Sequence, residues 1–223
     1  MEIEARGLVK VFPTTTLSCG VPLAALDGAC LEARAGVTGV EGPNGSGKTT
    51  LFKVLAGVLE TDAGEVLADG IPAGAGRLRT LAAYCPANPR SFYFRLSAAE
   101  NLRFFGALAG LDAGTAATRA AGLAERLGLQ AAELRKRFDR LSEGNMQKIS
   151  LIRAISRRAP VLLLDEPFRG LDAASTESLL GLIEEAGRYS AVLLSSHSPQ
   201  LLRMAARRVL AMRDGRVTGR TPS

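Results

Sequence analysis

The run Gly42-Pro43-Asn44-Gly45-Ser46-Gly47-Lys48-Thr49-Thr50 has the residue types needed to hold a polyphosphate. Glycines at 42, 45 and 47 let the backbone turn tightly with its N–H groups facing inward. A helix that follows directly presents its free N-terminal N–H groups, and the positive end of its dipole, to the same point. The result is an anion cradle of nucleotide-phosphate size. Lys48 would reach the β- and γ-phosphates, and the Thr49 hydroxyl would ligate magnesium. A glycine-rich strand-to-helix turn can carry this pattern by accident, so the reading needs agreement from elsewhere in the chain.

Asp165 and Glu166 supply that agreement. They follow the apolar run Val161-Leu162-Leu163-Leu164 directly. A carboxylate at the C-terminal end of a buried parallel strand lies where the sheet opens, beside such a loop. Asp165 suits magnesium, through water, and Glu166 suits orienting and deprotonating a water that attacks the γ-phosphate. Without the lysine loop upstream, an Asp-Glu pair before Pro167 would simply cap the next turn. His197 is the one histidine in the chain and follows the apolar run 191–194 through two serines. Such a histidine is commonly structural. On a neighbouring core strand, however, its Nε2 could donate to a phosphate oxygen or to the attacking water.

These residues must be positioned by alternating strands and helices. Alternation predicts a strand over 2–12, then a loop holding Pro13, three threonines and Gly20-Val21-Pro22, then strands over 26–33 and 37–41. A helix over 50–59 follows, with Leu51, Val54, Leu55 and Val58 on one face. Residues 65–70 read as a strand ending in an Asp-Gly turn, and 82–85 as a short strand stopped by Pro86 and Pro89. From roughly 95 to 140 the period is helical. Ser97 and Glu100 form a capping box, with Leu102, Phe105, Leu108 and Leu111 as the stripe. Further helices are expected at 115–127 and 133–138. The remainder predicts helices at 142–156, 176–186 and 200–206, strands at 161–164 and 191–194, and a hairpin of 208–212 with 216–218. The expected class is α/β, a mostly parallel sheet with helices on both sides.

The chain has 223 residues and a hydrophobic share of 47%, enough for one large domain with a full core. No run approaches the roughly 18 apolar residues of a membrane span. Residues 1–6 alternate charge with apolar side chains, so they read as a strand and not a signal peptide. A cytoplasmic location is expected. Cys19, Cys30 and Cys85 have no paired spacing, which predicts reduced, buried thiols without a metal or disulfide role. The net charge of +6 comes almost wholly from scattered arginines without interleaved aromatic residues, so specific nucleic-acid binding is not expected.

The order of these motifs resembles the ATP-binding subunit of ABC transporters over nearly the whole chain. Residues 42–50 match its phosphate loop, 161–166 its strand-carboxylate motif, and His197 its switch histidine. Leu141-Ser142-Glu143-Gly144-Asn145 resembles the signature, read against Leu-Ser-Gly-Gly-Gln. Gly170-Leu171-Asp172 resembles the loop that touches the opposite subunit, and Phe12 sits where the family places an aromatic stacked on adenine. The resemblance implies a P-loop NTPase core with an antiparallel β subdomain (1–85 and 141–223) and an inserted helical subdomain (86–140). ATP and Mg2+ would be the ligands. A second ATP-binding subunit, identical or not, would dimerise head to tail, and Ser142 and Gly144 would act across the interface on the γ-phosphate. A separate polytopic permease would hold the protein on the inner face of the membrane.

Three departures stand out. Glu143 and Asn145 replace a glycine and a glutamine, and Glu143 brings negative charge near phosphate unless it points away or pairs with an arginine. Ala87, in Tyr84-Cys85-Pro86-Ala87-Asn88-Pro89, takes the place of a glutamine that reaches magnesium. The stretch 90–108 is similar to exporter-type members, which also often lack that glutamine, and Phe92, Tyr93 and Phe94 would face the permease or pack in the core. Export is therefore the expected direction. The alternatives are an ABC ATPase without a membrane partner, for which the chain is short, and a regulatory nucleotide-binding module with weak hydrolysis.

Overall fold

The computed structural model describes residues 1–13 and 23–221. The expected threonine-containing loop (14–20), the Gly20-Val21-Pro22 turn and Cys19 lie outside them. In chain order the elements are β1 (Ile3–Phe12), β2 (Leu23–Ala33), β3 (Gly36–Glu41), α1 (Lys48–Leu55), β4 (Ala63–Ala68), β5 (Ile71–Pro72), α2 (Ala75–Leu81) and β6 (Ala82–Cys85). Then come α3 (Ala98–Leu108), α4 (Ala113–Arg126), α5 (Ala131–Arg135), α6 (Glu143–Ser156), β7 (Val161–Asp165) and α7 (Ala173–Gly187). The chain closes with β8 (Ala191–Ser195), α8 (Pro199–Ala205), β9 (Arg208–Arg213) and β10 (Arg216–Thr221).

Two sheets organise the chain. The larger has the order β10-β9-β3-β8-β7-β6; every pairing in it is parallel except the terminal β9–β10 hairpin. The smaller is antiparallel, in the order β2-β1-β4-β5. The continuous apolar runs of β7 and β8 are explained by their two covered faces. Leu162, Leu164, Val192 and Leu194 join the core under α6 and α7. Val161, Leu163, Ala191 and Leu193 join a second core with α1 and the antiparallel sheet. This places the ends of β3, β7 and β8 in one row, where the chemistry-bearing residues sit.

The helices α3–α5 form a lateral group. Ser97 and Glu100 make the expected capping box at α3, and Asp112 caps α4 through the Thr115 N–H. Phe92 is buried and stacks on Phe138 at 4.4 Å, with Phe105 edge-on at 5.4 Å. The Arg153 guanidinium of α6 lies over both Phe92 and Phe105, at 4.3 and 4.8 Å from the ring centres. That contact ties the helical group to the core. Tyr93 and Phe94 are exposed, so the aromatic cluster divides between packing and surface.

Several expectations are corrected. The first helix begins at Lys48, earlier than residue 50, and it ends at Leu55 because Gly57 adopts φ +65°; Val58 therefore turns outward. Leu108 likewise faces solvent, because α3 buries Ala98, Asn101, Leu102 and Gly106 instead. The segment 133–138 is not one helix: α5 covers Ala131–Arg135, and a separate 3-10 turn covers Phe138–Arg140. α2 was not foreseen, since two glycines and a single buried leucine, Leu78, leave no helical stripe to read. Cys85 is buried as expected, whereas Cys30 is exposed on the outer face of β2.

Candidate functional site

β3 delivers the chain to Gly42, and the loop that follows wraps around the Lys48 ammonium. Its Nζ donates to the carbonyls of Gly42 (2.7 Å) and Pro43 (3.0 Å). Burial lowers the Lys48 pKa, opposed by the charges of Glu166 and Asp165. The loop is clasped from behind by the terminal hairpin. Gly215 N–H donates to the Ser46 carbonyl (3.0 Å), Asp27 N–H donates to the Gly215 carbonyl (3.0 Å), and a Cβ on Gly42 would run into the Met212 carbonyl. Gly47, the N-cap of α1, has φ +103° and lies against the Ala25 carbonyl. Gly47→Ala is expected to destabilise the fold by about 2 kcal/mol or more and to weaken nucleotide binding, since a side chain meets both a forbidden φ and a backbone oxygen. Denaturant unfolding with and without ATP would measure both effects.

Asp165 is buried at the end of β7. Its Oδ2 accepts from the Thr49 hydroxyl at 2.7 Å and from the Tyr84 hydroxyl at 3.4 Å, and its Oδ1 accepts from the Ser195 hydroxyl at 2.7 Å. The same Ser195 oxygen accepts the Glu166 N–H at 3.1 Å. The ends of β7 and β8 are thereby locked together. Glu166 sits at φ +51°, a conformation that costs a non-glycine residue about 1–3 kcal/mol and is kept where surroundings enforce it. Its Oε2 accepts the His197 N–H at 3.1 Å. Its Oε1 is buried with no hydrogen bond among the described residues, and His197 Nε2 stands 3.3 Å away. Desolvation raises the Glu166 pKa, and the neighbouring Asp165 adds to the rise, against the lowering effect of the His197 N–H and the charge of Lys48. A carboxylate so placed has a free basic oxygen.

These groups line one cleft of about 740 Å³. Asn44, Gly45, Ser46, Gly47, Lys48, Thr49 and Thr50 form its floor, Asp165, Glu166 and His197 one wall, and Phe12, with Leu23 and Ala25, the far rim. Phe12 is partly exposed at the end of β1, with Lys10 Nζ 5.9 Å from its ring centre. Among the described residues there is no cluster of His, Cys, Asp and Glu able to hold a metal alone. Asp165 and the Thr49 hydroxyl supply hard oxygen donors, which fit Mg2+ when phosphate oxygens and water complete its shell.

The signature-like segment lies elsewhere: Leu141, Ser142, Glu143, Gly144 and Asn145 line no part of this cleft. Ser142 is exposed and caps α6, its Oγ accepting the Asn145 N–H. Leu141 is buried, and Asn145 donates to Glu133 Oε2 at 3.0 Å. Glu143 pairs with Arg169 at 2.9 Å, so its charge is turned towards the loop after β7. Gly144 has no room for a side chain, because the Gly170 carbonyl abuts it. Asp172 caps α7 by accepting the Ser175 N–H, which, with a weaker contribution from Lys148, brings its pKa down to about 2. Sequence reasoning missed Ser195 and Tyr84 as partners of Asp165, and Arg169 as the partner of Glu143. No local signal marks Tyr84 or Ser195; the pairing of β6 and β8 with β7 brings them to Asp165.

Among the described residues no helix is long and apolar enough to cross a membrane. The profile of the family described as ABC transporter matches residues 31–169. A putative ABC transporter ATP-binding protein of Pyrococcus horikoshii is 33% identical over 184 residues, 81% of this chain and 70% of that protein. The Fe(3+) ions import ATP-binding protein FbpC 1 of Rhodococcus jostii is 32% identical over 226 residues, 96% of this chain but 60% of its own length. In fold, a dimeric ATP-binding cassette solved in a post-hydrolysis state with ADP and Pi has a TM-score of 0.87 at 19% identity, covering 98% of this chain and 97% of that one. With more than half its length matched by the family profile, and that much of it shared with a curated ATP-binding protein, the chain belongs to the ABC transporter family as an ATP-binding subunit.

Proposed function

We propose that the protein hydrolyses ATP as the engine of a membrane transporter. The observation that carries this reading is the convergence in one cleft of Lys48, Thr49, Asp165, Glu166 and His197. In this scheme the loop N–H groups and Lys48 hold the phosphates, Thr49 and Asp165 hold Mg2+, and Phe12 stacks on the base. Magnesium, when bound, neutralises charge on the β- and γ-phosphates. Glu166 Oε1 takes a proton from the attacking water, and His197 Nε2 steadies the water or a phosphate oxygen. Magnesium-dependent ATPase activity of the purified chain, alone and with its membrane partner, tests the proposal. Nucleotide binding without turnover under both conditions would leave the regulatory-module alternative standing.

The active unit in this reading is a head-to-tail dimer. Ser142, at the N-terminus of α6, is exposed and outside its own chain's cleft, so it is available to the γ-phosphate held by another subunit. Asp172 would meet that subunit from the neighbouring loop. The division proposed for the chain is a core with its antiparallel sheet at 1–85 and 141–223, and a helical subdomain at 86–140. The permease would touch the exposed rings of Tyr93 and Phe94 on that subdomain and keep the protein at the inner membrane face.

Export is the proposed direction, supported by the stretch 90–108 and by Ala87. The names of five relatives refer to import, four of Fe(3+) and one of ribose, and describe those proteins. ATP-driven uptake of substrate into inverted vesicles carrying the protein and its permease would support export, and efflux from them would refute it. Ala87 lines the cleft and its side chain carries no polar atom. Ala87→Gln is expected to change turnover by only a few-fold, because Asp165 is already held by three hydroxyls. Steady-state ATPase assays would measure it.

A further inference from the structure

A second groove, of about 740 Å³, runs behind the nucleotide cleft and shares Thr49, Ala87 and Asp165 with it. Tyr84 lines this groove. β6 pairs in parallel with β7 so that Tyr84 stands opposite Leu163. Leu163 and Asp165 point to the same face, since side chains alternate along a strand. Tyr84 is therefore on the face of Asp165, two positions short of it on the next strand, and its long phenol reaches across the diagonal to place its hydroxyl 3.4 Å from Asp165 Oδ2. The ring is partly buried and packs on the core beneath α1. On this side Pro86 and Ala87 offer no side-chain donor. The Tyr84 hydroxyl stands in the wall between groove and cleft, touching the very oxygen that Thr49 also touches.

We propose that Tyr84 is a positioning residue for the metal-holding carboxylate, fixing Asp165 Oδ2 from the groove side by a hydroxyl contact. This rests on the ATPase reading above. The ring packs whether or not the hydroxyl is present; the hydroxyl adds a third, longer contact to a carboxylate that Thr49 and Ser195 each hold at 2.7 Å. Losing it leaves the phosphate loop and the Thr49 and Ser195 contacts intact but removes the restraint on Oδ2 from the groove side. The signature is thus a split between nucleotide binding without metal, which is unaffected, and the metal's contribution, which is weakened.

The test is Tyr84→Phe, with binding of a fluorescent ATP analogue measured in EDTA and across a magnesium series. The expected result is metal-free affinity within twofold of wild type and a magnesium midpoint raised about fivefold, the size of one lost hydrogen bond. A midpoint that moves less than twofold overturns the proposal. So does an equal loss of metal-free and metal-dependent affinity, which would make Tyr84 a packing residue only. A wild-type protein that binds the analogue without any response to magnesium would instead sink the ATPase reading itself, so the two failures are distinguishable.

Discussion

Lys48→Ala is expected to lower ATP turnover by about 10²-fold or more, the scale seen when one preorganised charge-stabilising group is removed from a reacting centre. The Lys48 ammonium is buried inside the loop, held by the Gly42 and Pro43 carbonyls, and its position is set before any phosphate arrives. Alanine leaves the backbone N–H groups in place but removes the cation of the cradle. Burial disfavours that charge, and the neighbouring Glu166 and Asp165 favour it. Equilibrium binding of ATP and steady-state turnover should both fall. Turnover within fivefold of wild type would remove Lys48 from the mechanism.

Glu166→Gln is expected to cut hydrolysis by about 10²-fold or more while leaving ATP binding intact, because it deletes a proton acceptor and little else. A glutamine oxygen can still accept the His197 N–H that Glu166 Oε2 accepts, so the strained backbone at φ +51° stays supported. What is lost is the basic Oε1, buried and without a hydrogen bond, beside His197 Nε2. With hydrolysis blocked, ATP should hold two subunits together, and light scattering with ATP and magnesium should report a dimer. Equal ATPase rates for wild type and variant would reject the assignment of Glu166. A variant that stays monomeric with nucleotide, magnesium and its membrane partner would reject the dimer.

Much of this arrangement could be read from residues alone, for identifiable reasons. β7 and the phosphate loop were legible because each obeys one strong local rule: an unbroken apolar run for a strand covered on both faces, and glycine spacing for a loop that closes on an anion. The capping box at Ser97 rests on one side chain meeting a nearby N–H, which is also local, whereas Asp172 caps α7 from Ala173, ahead of the expected start at residue 176. The contacts that tune the site are of another kind. Ser195 and Tyr84 reach Asp165 from 30 and 81 positions away, and nothing in their own neighbourhoods singles them out. The exposed Cys30, Val58 and Leu108 show the complementary limit, since apolar or small character gives no face until the ends of an element are known. Glu143 falls between: its conflict with phosphate was visible in the sequence, whereas its resolution by Arg169 depends on how two loops meet.

The hairpin that clasps the phosphate loop has a consequence for biosynthesis. Gly215 braces Ser46, so the phosphate loop is completed by a segment made much later than the loop itself. A nascent chain on the ribosome carries the lysine loop long before its brace emerges, and contacts between such distant positions form late. A partial product that stops before the hairpin therefore lacks this brace on its phosphate loop.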